Sequence, residues 1–154
     1  MAARASAIVD ADERLADAGI KSVEAGAFVS PKWVPQMADT AEVLAGLKRK
    51  RGTSYPVLVP NMKGFEAALA SNVDEIAVFG AASESFSQKN INCSIAESLE
   101  RFAPVVAAAK DKNIRVRGYV STLWGCPYEG TIDPRRGLAI AHKLIDLGCY
   151  QVSL

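Results

Sequence analysis

The chain alternates short apolar runs with longer segments in which apolar residues recur every three or four positions. Short runs of this kind are typical of buried β-strands, and the longer segments are typical of amphipathic helices. The predicted strands are residues 20–24, 55–59, 75–79, 114–120 and 150–154. A predicted helix separates each strand from the next, so the pattern indicates an α/β fold with a parallel sheet whose strands are covered on both faces.

Helix-capping residues support these boundaries. Asp10 with Glu13, and Ser94 with Glu97, have the spacing of capping boxes at the starts of two helices. Residues 80–93 show no helical pattern and are predicted to form a long loop between a strand and the second of these helices.

Two architectures fit this order of elements. One is a five-stranded doubly wound sheet, and the other is part of a (β/α)8 TIM barrel with about four βα units and a terminal strand. The chain of 154 residues opens with a helix and closes on a bare strand. We therefore expect residues 1–154 to be a single, incomplete barrel domain that lacks the first strand and the C-terminal barrel strands.

Composition narrows the class of protein. The chain is 49% hydrophobic and 23% charged with a net charge of +1, which predicts a folded globular protein without an electrostatic surface for nucleic acid or anionic membranes. No apolar stretch approaches the roughly 20 residues that span a bilayer. The three cysteines form no CxxC pair, which favours a reducing compartment and gives no zinc signature.

A carboxylate and a stiff loop are the first candidates for chemistry. Glu24 ends the first predicted strand, and residues 28–37 contain two prolines, a tryptophan and a lysine. A semi-apolar loop above a strand that ends in an acid is typical of a pocket wall in α/β enzymes. Glu24 is therefore either a base or hydroxyl partner for a substrate, or a solvated acid at a strand end.

The fourth predicted strand carries polar residues on one face. Arg115, Arg117 and Tyr119 alternate along it, and a buried arginine needs an anionic partner. The partner could be a structural acid or a substrate, and Tyr119 is the better candidate for touching a ligand because it lies nearer the carboxyl end. His142, the single histidine, is predicted to lie on a helix surface, so no metal site is predicted.

Polar residues also precede the helix that starts near residue 94. Asn90, Asn92 and Ser94 lie ahead of this helix start, where free amide groups suit a phosphate or a carboxylate. Ordinary helix capping by Ser94 and Asn92 is the alternative interpretation.

Several long runs carry a resemblance to a known family. These are residues 28–37, 61–68, 79–84, 90–94 and 125–130. From about residue 20 to 154 the chain resembles the 3-hydroxy-3-methylglutaryl-CoA lyases. The resemblance implies a (β/α)8 barrel and a retro-Claisen-type cleavage of 3-hydroxy-3-methylglutaryl-CoA to acetyl-CoA and acetoacetate, in leucine degradation and ketone-body formation. It also implies a divalent metal, Mg²⁺ or Mn²⁺, as the cofactor.

The resemblance assigns roles to particular residues. Glu24 matches the family's active-site glutamate, Arg117 and Tyr119 match residues that line the pocket, and Asn90 with Ser94 match the region that holds the coenzyme A arm. The family's metal ligands match nothing in this chain, so we expect the isolated chain to be catalytically incomplete. Cys126 matches a mid-barrel cysteine loop of the family, and it is not assigned as the proton donor.

Two other functions stay open at this point. One is a sister enzyme of the same superfamily, such as an isopropylmalate or homocitrate synthase, although residues 28–37 argue against it. The other is a non-catalytic module that binds acyl-CoA or self-associates. We expect an acyl-CoA partner and assembly into homo-oligomers. The location is expected to be the bacterial cytoplasm or the mitochondrial matrix, and no clear targeting segment is present.

Overall fold

The computed structural model describes residues 2–154, which contain six α-helices, seven β-strands and one 3₁₀ turn at Pro35–Met37. The helices are α1 (Ala3–Asp17), α2 (Thr40–Gly46), α3 (Met62–Ala70), α4 (Glu84–Ile91), α5 (Ile95–Asp111) and α6 (Pro134–Leu147). The strands are β1 (Gly26–Ala27), β2 (Val57–Leu58), β3 (Glu75–Ala81), β4 (Arg115–Ser121), β5 (Gly125–Cys126), β6 (Gly130–Thr131) and β7 (Gln151–Ser153).

Five of the strands form one sheet, in the order β1, β2, β3, β4, β7, which is also their order along the chain. β1 pairs in parallel with β2, and β4 pairs in parallel with β7, with Arg117 opposite Gln151. β5 and β6 form a separate antiparallel hairpin. The predicted α/β class with a parallel sheet is confirmed. The chain divides into two compact units, one ending at Ile76 and one beginning at Ala77.

In the first unit, α1 packs against α2 around Ala5, Val9 and Val43. The predicted start of this helix at Asp10 is wrong, because α1 begins at Ala3. The alanine-rich segment has high helix propensity, so the helix extends through Asp10, which forms an exposed ion pair with Arg14 at 3.6 Å.

The first predicted strand extends further along the chain than predicted. Its parallel pairing begins at Lys21, whose carbonyl accepts the N–H of Ser54, and it continues to Phe28, whose N–H donates to Leu58. Glu24 therefore lies within this extended segment and not at its end. Residues 25–27 are small and have low β-propensity, so the sequence does not predict this part of the strand. The hydroxyl of Thr40 supports it, because it accepts the N–H of Ala27 and donates to the carbonyl of Ala27.

In the second unit, α5 and α6 both pack on β4. Gly118 lies on the face that they cover, and a Cβ atom there would lie 3.0 Å from Leu144 of α6. Glycine therefore allows the close approach of helix to strand. Arg117 and Tyr119, on the alternate positions, lie on the opposite face and are half-buried.

The predicted loop at residues 80–93 is wrong, because it contains α4. This helix is short and rich in polar residues, so it has no clear apolar stripe. Its start is nevertheless encoded locally: the hydroxyl of Ser83 accepts the N–H of Phe86, and Glu84 places an acid in the first turn. Among the helices of residues 2–154, none combines the length and the apolar character needed to cross a membrane.

Candidate active-site region

The carboxyl ends of β3 and β4 lead into two segments of the second unit that bond to each other. Ser83 follows β3 and begins α4, and the loop after β4 folds into the β5–β6 hairpin that carries Cys126 and Glu129. Chemistry in parallel α/β folds is usually built just beyond the carboxyl ends of the strands. The contacts between these two segments therefore define the candidate site.

Glu129 anchors the hairpin to the first turn of α4. One of its carboxylate oxygens accepts the hydroxyl of Ser83 at 2.7 Å and the N–H of Ser85 at 2.8 Å, while the other lies 3.3 Å from the guanidinium of Arg136. The N–H of Ser85, the hydroxyl of Ser83 and Arg136 all favour the charged form, and together they lower the pKa of Glu129 to about 2. The side chain is therefore a carboxylate at neutral pH, held at the positive end of α4.

Cys126 lies beside this carboxylate and is buried. Its Sγ lies 3.0 Å from the hydroxyl of Ser83 and accepts the N–H of Tyr128 at 3.3 Å. Burial raises the pKa of the thiol, but the hydrogen bonds from Ser83 and from the N–H groups of Tyr128 and Glu129 outweigh it, so the pKa lies below its ordinary value. A serine hydroxyl has one proton, so Ser83 can donate to Glu129 or to Cys126 but not to both at once.

Tyr128 gives the hairpin a second contact with α4. Its ring lies under the ammonium of Lys89, 4.2 Å from nitrogen to ring centroid, and its centroid is 6.5 Å from that of Phe86. A cation over an aromatic face is attractive, and tilted aromatic pairs pack favourably. α4 is thus held by the hairpin at its first turn and again along its length.

The helix starts of this region already have partners for their amide groups. At α5, the N–H of Ser94 donates to Glu97 at 2.7 Å, the N–H of Glu97 donates to Ser94 at 3.1 Å, and the N–H of Ile95 donates to Glu84 at 2.9 Å. The predicted capping box is confirmed. The expectation of free amides for a phosphate is not met at these positions, so Ser94 has a structural role of its own.

Asn90 lies near the end of α4 rather than in a loop, and it is exposed. Asn92, in the left-handed region at φ 51°, forms the C-cap of α4. Asparagine tolerates this conformation better than most residues do. Gln88, Asn90 and Asn92 are all exposed, and Asn90 is the one of the three that the family resemblance matches to the coenzyme A region.

The polar face of β4 contacts the terminal strand region. The guanidinium of Arg117 donates to the side chains of Tyr150 at 3.3 Å and Gln151 at 3.2 Å, and Arg115 lies 5.3 Å from the ring centroid of Tyr150. Tyr119 is half-buried and pairs across the ladder with Ser153. These contacts join the guanidinium of Arg117 to the side chains of two residues in the terminal strand region.

Glu24 belongs to the first unit, where its side chain is exposed. It alternates with the buried Val23 and Ala25, so it lies on the face of the extended segment opposite to theirs. Gly26 lies on the same face two residues later, and it packs so closely on Thr40 that a Cβ atom would lie 2.7 Å from the hydroxyl oxygen.

The side chains of residues 2–154 offer few groups that could bind a metal ion together. Within residues 2–154, no three His, Cys, Asp or Glu side chains converge in a way that could hold a metal ion. His142 is exposed on α6, as predicted. Residues 2–154 therefore do not fit a metal centre.

The sequence interpretation missed the group formed by Ser83, Cys126 and Glu129. Its members are distant in sequence, since Ser83 and Glu129 are 46 positions apart. A usable signal was the Cys-Pro-Tyr-Glu-Gly run after a strand, which reads as a tight turn that presents a thiol and a carboxylate together.

Comparison with known proteins decides the family. A family model described as HMGL-like matches residues 4–154. The chain belongs to the HMGL-like family. The resemblance drawn from the sequence is therefore confirmed, and it extends further toward the N-terminus than residue 20.

Relatives in this family carry lyase names. A 3-hydroxy-3-isohexenylglutaryl-CoA/hydroxymethylglutaryl-CoA lyase of Pseudomonas aeruginosa is 59% identical over 140 residues, which are 91% of this chain and 47% of the relative. The mitochondrial hydroxymethylglutaryl-CoA lyase of Homo sapiens is 54% identical over 142 residues, 92% of this chain and 44% of the relative. The chain thus spans about half the length of the curated relatives it matches.

Solved structures of HMGL-like proteins match the fold closely. The hydroxymethylglutaryl-CoA lyase of Pseudomonas aeruginosa superposes with a TM-score of 0.93 at 55% identity, over 97% of this chain and 50% of that chain. A hydroxymethylglutaryl-CoA lyase from Acinetobacter baumannii in complex with coenzyme A and 3-methylmalate gives a TM-score of 0.90 at 31% identity, over 96% and 48%. The five-stranded parallel sheet therefore corresponds to slightly more than half of the eight strands of a (β/α)8 barrel.

Proposed function

We propose that the chain serves as part of a hydroxymethylglutaryl-CoA lyase, which cleaves 3-hydroxy-3-methylglutaryl-CoA to acetyl-CoA and acetoacetate. The observation that carries the proposal is the 59% identity to a lyase over 91% of the chain. Sister synthases of the superfamily lack this support, because the similar proteins described above bear lyase names. The HMGL-like domain over residues 4–154 is proposed to be one incomplete barrel domain.

The reaction needs a base and stabilisation of negative charge. Loss of the proton on the tertiary hydroxyl lets the carbon–carbon bond break, and the electron pair passes to the thioester fragment as an enolate, which is then protonated. Glu24 is proposed to accept the hydroxyl proton or to orient that hydroxyl. Arg117 is proposed to stabilise developing negative charge, with Tyr119 as a hydroxyl contact on the same strand face.

The coenzyme A arm is assigned to the region around α4. Asn90, exposed on α4, is proposed to bond it directly, and Ser94 to maintain the adjacent start of α5 through its capping box. The Acinetobacter baumannii relative was solved with coenzyme A, which supports an acyl-CoA ligand for this family member. The resemblance further implies Mg²⁺ or Mn²⁺ in the complete enzyme, a homo-oligomeric assembly, and a cytoplasmic or mitochondrial location.

Calorimetry and a complementation assay test the proposal. The chain is titrated with coenzyme A and separately with Mg²⁺, and then mixed with the part of the Pseudomonas aeruginosa relative that it does not cover. We expect coenzyme A binding by the chain, and acetoacetate formation in the mixture that falls about 10²- to 10⁴-fold with Glu24→Gln. Binding without any cleavage in the mixture would favour a non-catalytic acyl-CoA module, and absence of binding would reject the proposal.

A further inference from the structure

The carboxylate of Glu129 is the most heavily bonded side chain of the hairpin, and the reaction outlined above gives it no chemical role. It accepts bonds from Ser83 and Ser85 and faces Arg136, so its charge is committed to neighbours in the protein. A group held in this way cannot easily serve as a base, since its pKa of about 2 leaves it a weak proton acceptor. Its contacts instead join two elements.

Those contacts fix α4 at its N-terminus. The N–H of Ser85 and the N-cap hydroxyl of Ser83 both bond Glu129, and charge-assisted bonds of this kind are about twice as strong as neutral ones. A carboxylate at this end of a helix also interacts favourably with the helix dipole. An eight-residue helix is too short to be stable by itself, so such external bonds determine where it lies.

The same hairpin also holds the middle of the helix. Tyr128 precedes Glu129, and its ring contacts Lys89 and Phe86. Asn90 follows Lys89 in the last turn of α4, one residue beyond this contact. The hairpin therefore holds α4 at the residue next to Asn90, through Lys89, and at the first turn, through Glu129.

We propose that Glu129 is a positioning residue for the coenzyme A arm: it holds α4 on the 125–131 hairpin and so places Asn90 at its ligand. The inference rests on the proposed function, because it takes Asn90 as the residue that contacts coenzyme A. Glu129 itself touches no reacting atom in this arrangement.

A double-mutant cycle on coenzyme A binding tests the proposal. Calorimetry with coenzyme A compares the unsubstituted chain, Glu129→Gln, Asn90→Ala and the double variant. We expect Glu129→Gln to weaken binding by about tenfold, and the double variant to bind no more weakly than Asn90→Ala, since Glu129 acts through Asn90. If Glu129 only stabilised the fold, the losses in binding free energy from Glu129→Gln and Asn90→Ala would add in the double variant.

Asp133→Asn is the matched control. Asp133 is also a carboxylate that caps a helix, but its bonds go to Arg135 at the start of α6. Its removal is expected to leave coenzyme A binding unchanged within twofold. Hydrogen exchange gives a second readout: Glu129→Gln should speed exchange at the amides of Ser85 and Phe86, and Asp133→Asn should not.

The outcomes separate the two proposals. If the unsubstituted chain binds coenzyme A and Glu129→Gln binds equally well, the positioning role is rejected while the proposed function stands. If the effects of Glu129→Gln and Asn90→Ala simply add, the route through Asn90 is rejected. If the unsubstituted chain does not bind, the proposed function fails and the positioning role fails with it. Should Glu129→Gln not fold, Ser83→Ala removes one of the two bonds to α4 and must show the same non-additivity.

Discussion

The hydroxyl of Ser83 lies 2.7 Å from a carboxylate oxygen of Glu129, across 46 positions of sequence. Through this bond the segment after β3 and the segment after β4 form one connected structure at the carboxyl ends of neighbouring strands. Ser83 also caps α4 by accepting the N–H of Phe86. One hydroxyl therefore serves both the helix start and the link to the hairpin, and the properties of Glu129 and Cys126 both depend on it.

The depressed pKa of Glu129 predicts an acid-sensitive contribution to stability. The pKa falls from 4.5 to about 2 on folding, so the carboxylate stabilises the fold fully above pH 4.5 and loses that effect as the pH falls toward 2. Melting temperatures of the unsubstituted chain should therefore drop more steeply over this window than those of Glu129→Gln. The two proteins should converge below pH 2, where both carry a neutral side chain. A gap that stays constant with pH would contradict the assignment.

The single proton of Ser83 predicts opposite shifts in the pKa of Cys126 for two substitutions. Ser83→Ala removes a donor to Sγ and should raise the pKa of the thiol. Glu129→Gln removes a nearby negative charge and leaves a neutral, weaker acceptor to compete for the hydroxyl, and it should lower that pKa further. Thiol labelling followed across pH, with each cysteine resolved by mass spectrometry, measures both shifts.

Cys149 is the internal reference for that experiment. It is buried, and burial raises the pKa of its thiol to about 11, so its labelling should begin at higher pH than that of Cys126 in every variant. Shifts of the same sign in Ser83→Ala and Glu129→Gln would show that the hydroxyl is not shared between Cys126 and Glu129.

The sequence predicts what depends on neighbouring residues. The predicted capping box of Ser94 with Glu97 is such a local pattern, and it is observed. The structure shows the same kind of local boundary for α6, which Asp133 caps at its start and Gly148 at its end. The fold class follows from these elements because strand and helix alternate. The resemblance to the lyases came from long runs of residues that no local physical rule would generate.

The features that the sequence did not predict depend on contacts between residues that are far apart along the chain. α4 has little apolar periodicity, and its stability comes from Glu129 and Tyr128, which lie far along the chain. β1 contains small residues, and its pairing depends on Thr40 and on β2. Asp12 looks like an ordinary polar residue of an exposed helix face, and only packing shows that it is buried.

Burial of Asp12 predicts that the first unit is less stable at neutral than at mildly acidic pH. Its Oδ2 atom is buried without a hydrogen-bond partner, and burial raises the pKa of the carboxyl from 3.8 to about 6. The folded state therefore holds the proton more tightly than the unfolded state, and stability should decrease as the pH rises from about 4 to about 6. Asp12→Asn should remove this slope and raise the unfolding free energy at pH 7 by about 1–3 kcal/mol.

Urea unfolding at pH 4 and pH 7 measures this effect. Asp10→Asn is the matched control on the same helix, because Asp10 is exposed and its ion pair with Arg14 at 3.6 Å contributes less than about 1 kcal/mol. If Asp10→Asn removes the pH dependence as fully as Asp12→Asn does, the buried carboxyl of Asp12 is not its source.

Close packing at Gly64 predicts that a normally stabilising substitution will destabilise this protein. Gly64 lies in α3, where alanine usually gains about 0.5–1 kcal/mol over glycine. A Cβ atom there would lie 2.6 Å from the carbonyl oxygen of Phe28, and backbone cannot move aside as a flexible side chain can. Gly64→Ala should therefore lower the unfolding free energy by about 1–3 kcal/mol in urea titrations. The control is Ala67→Gly, at an exposed position of the same helix, because its effect on stability comes from helix propensity alone. If Gly64→Ala raises the unfolding free energy by as much as Ala67→Gly lowers it, no such close contact exists.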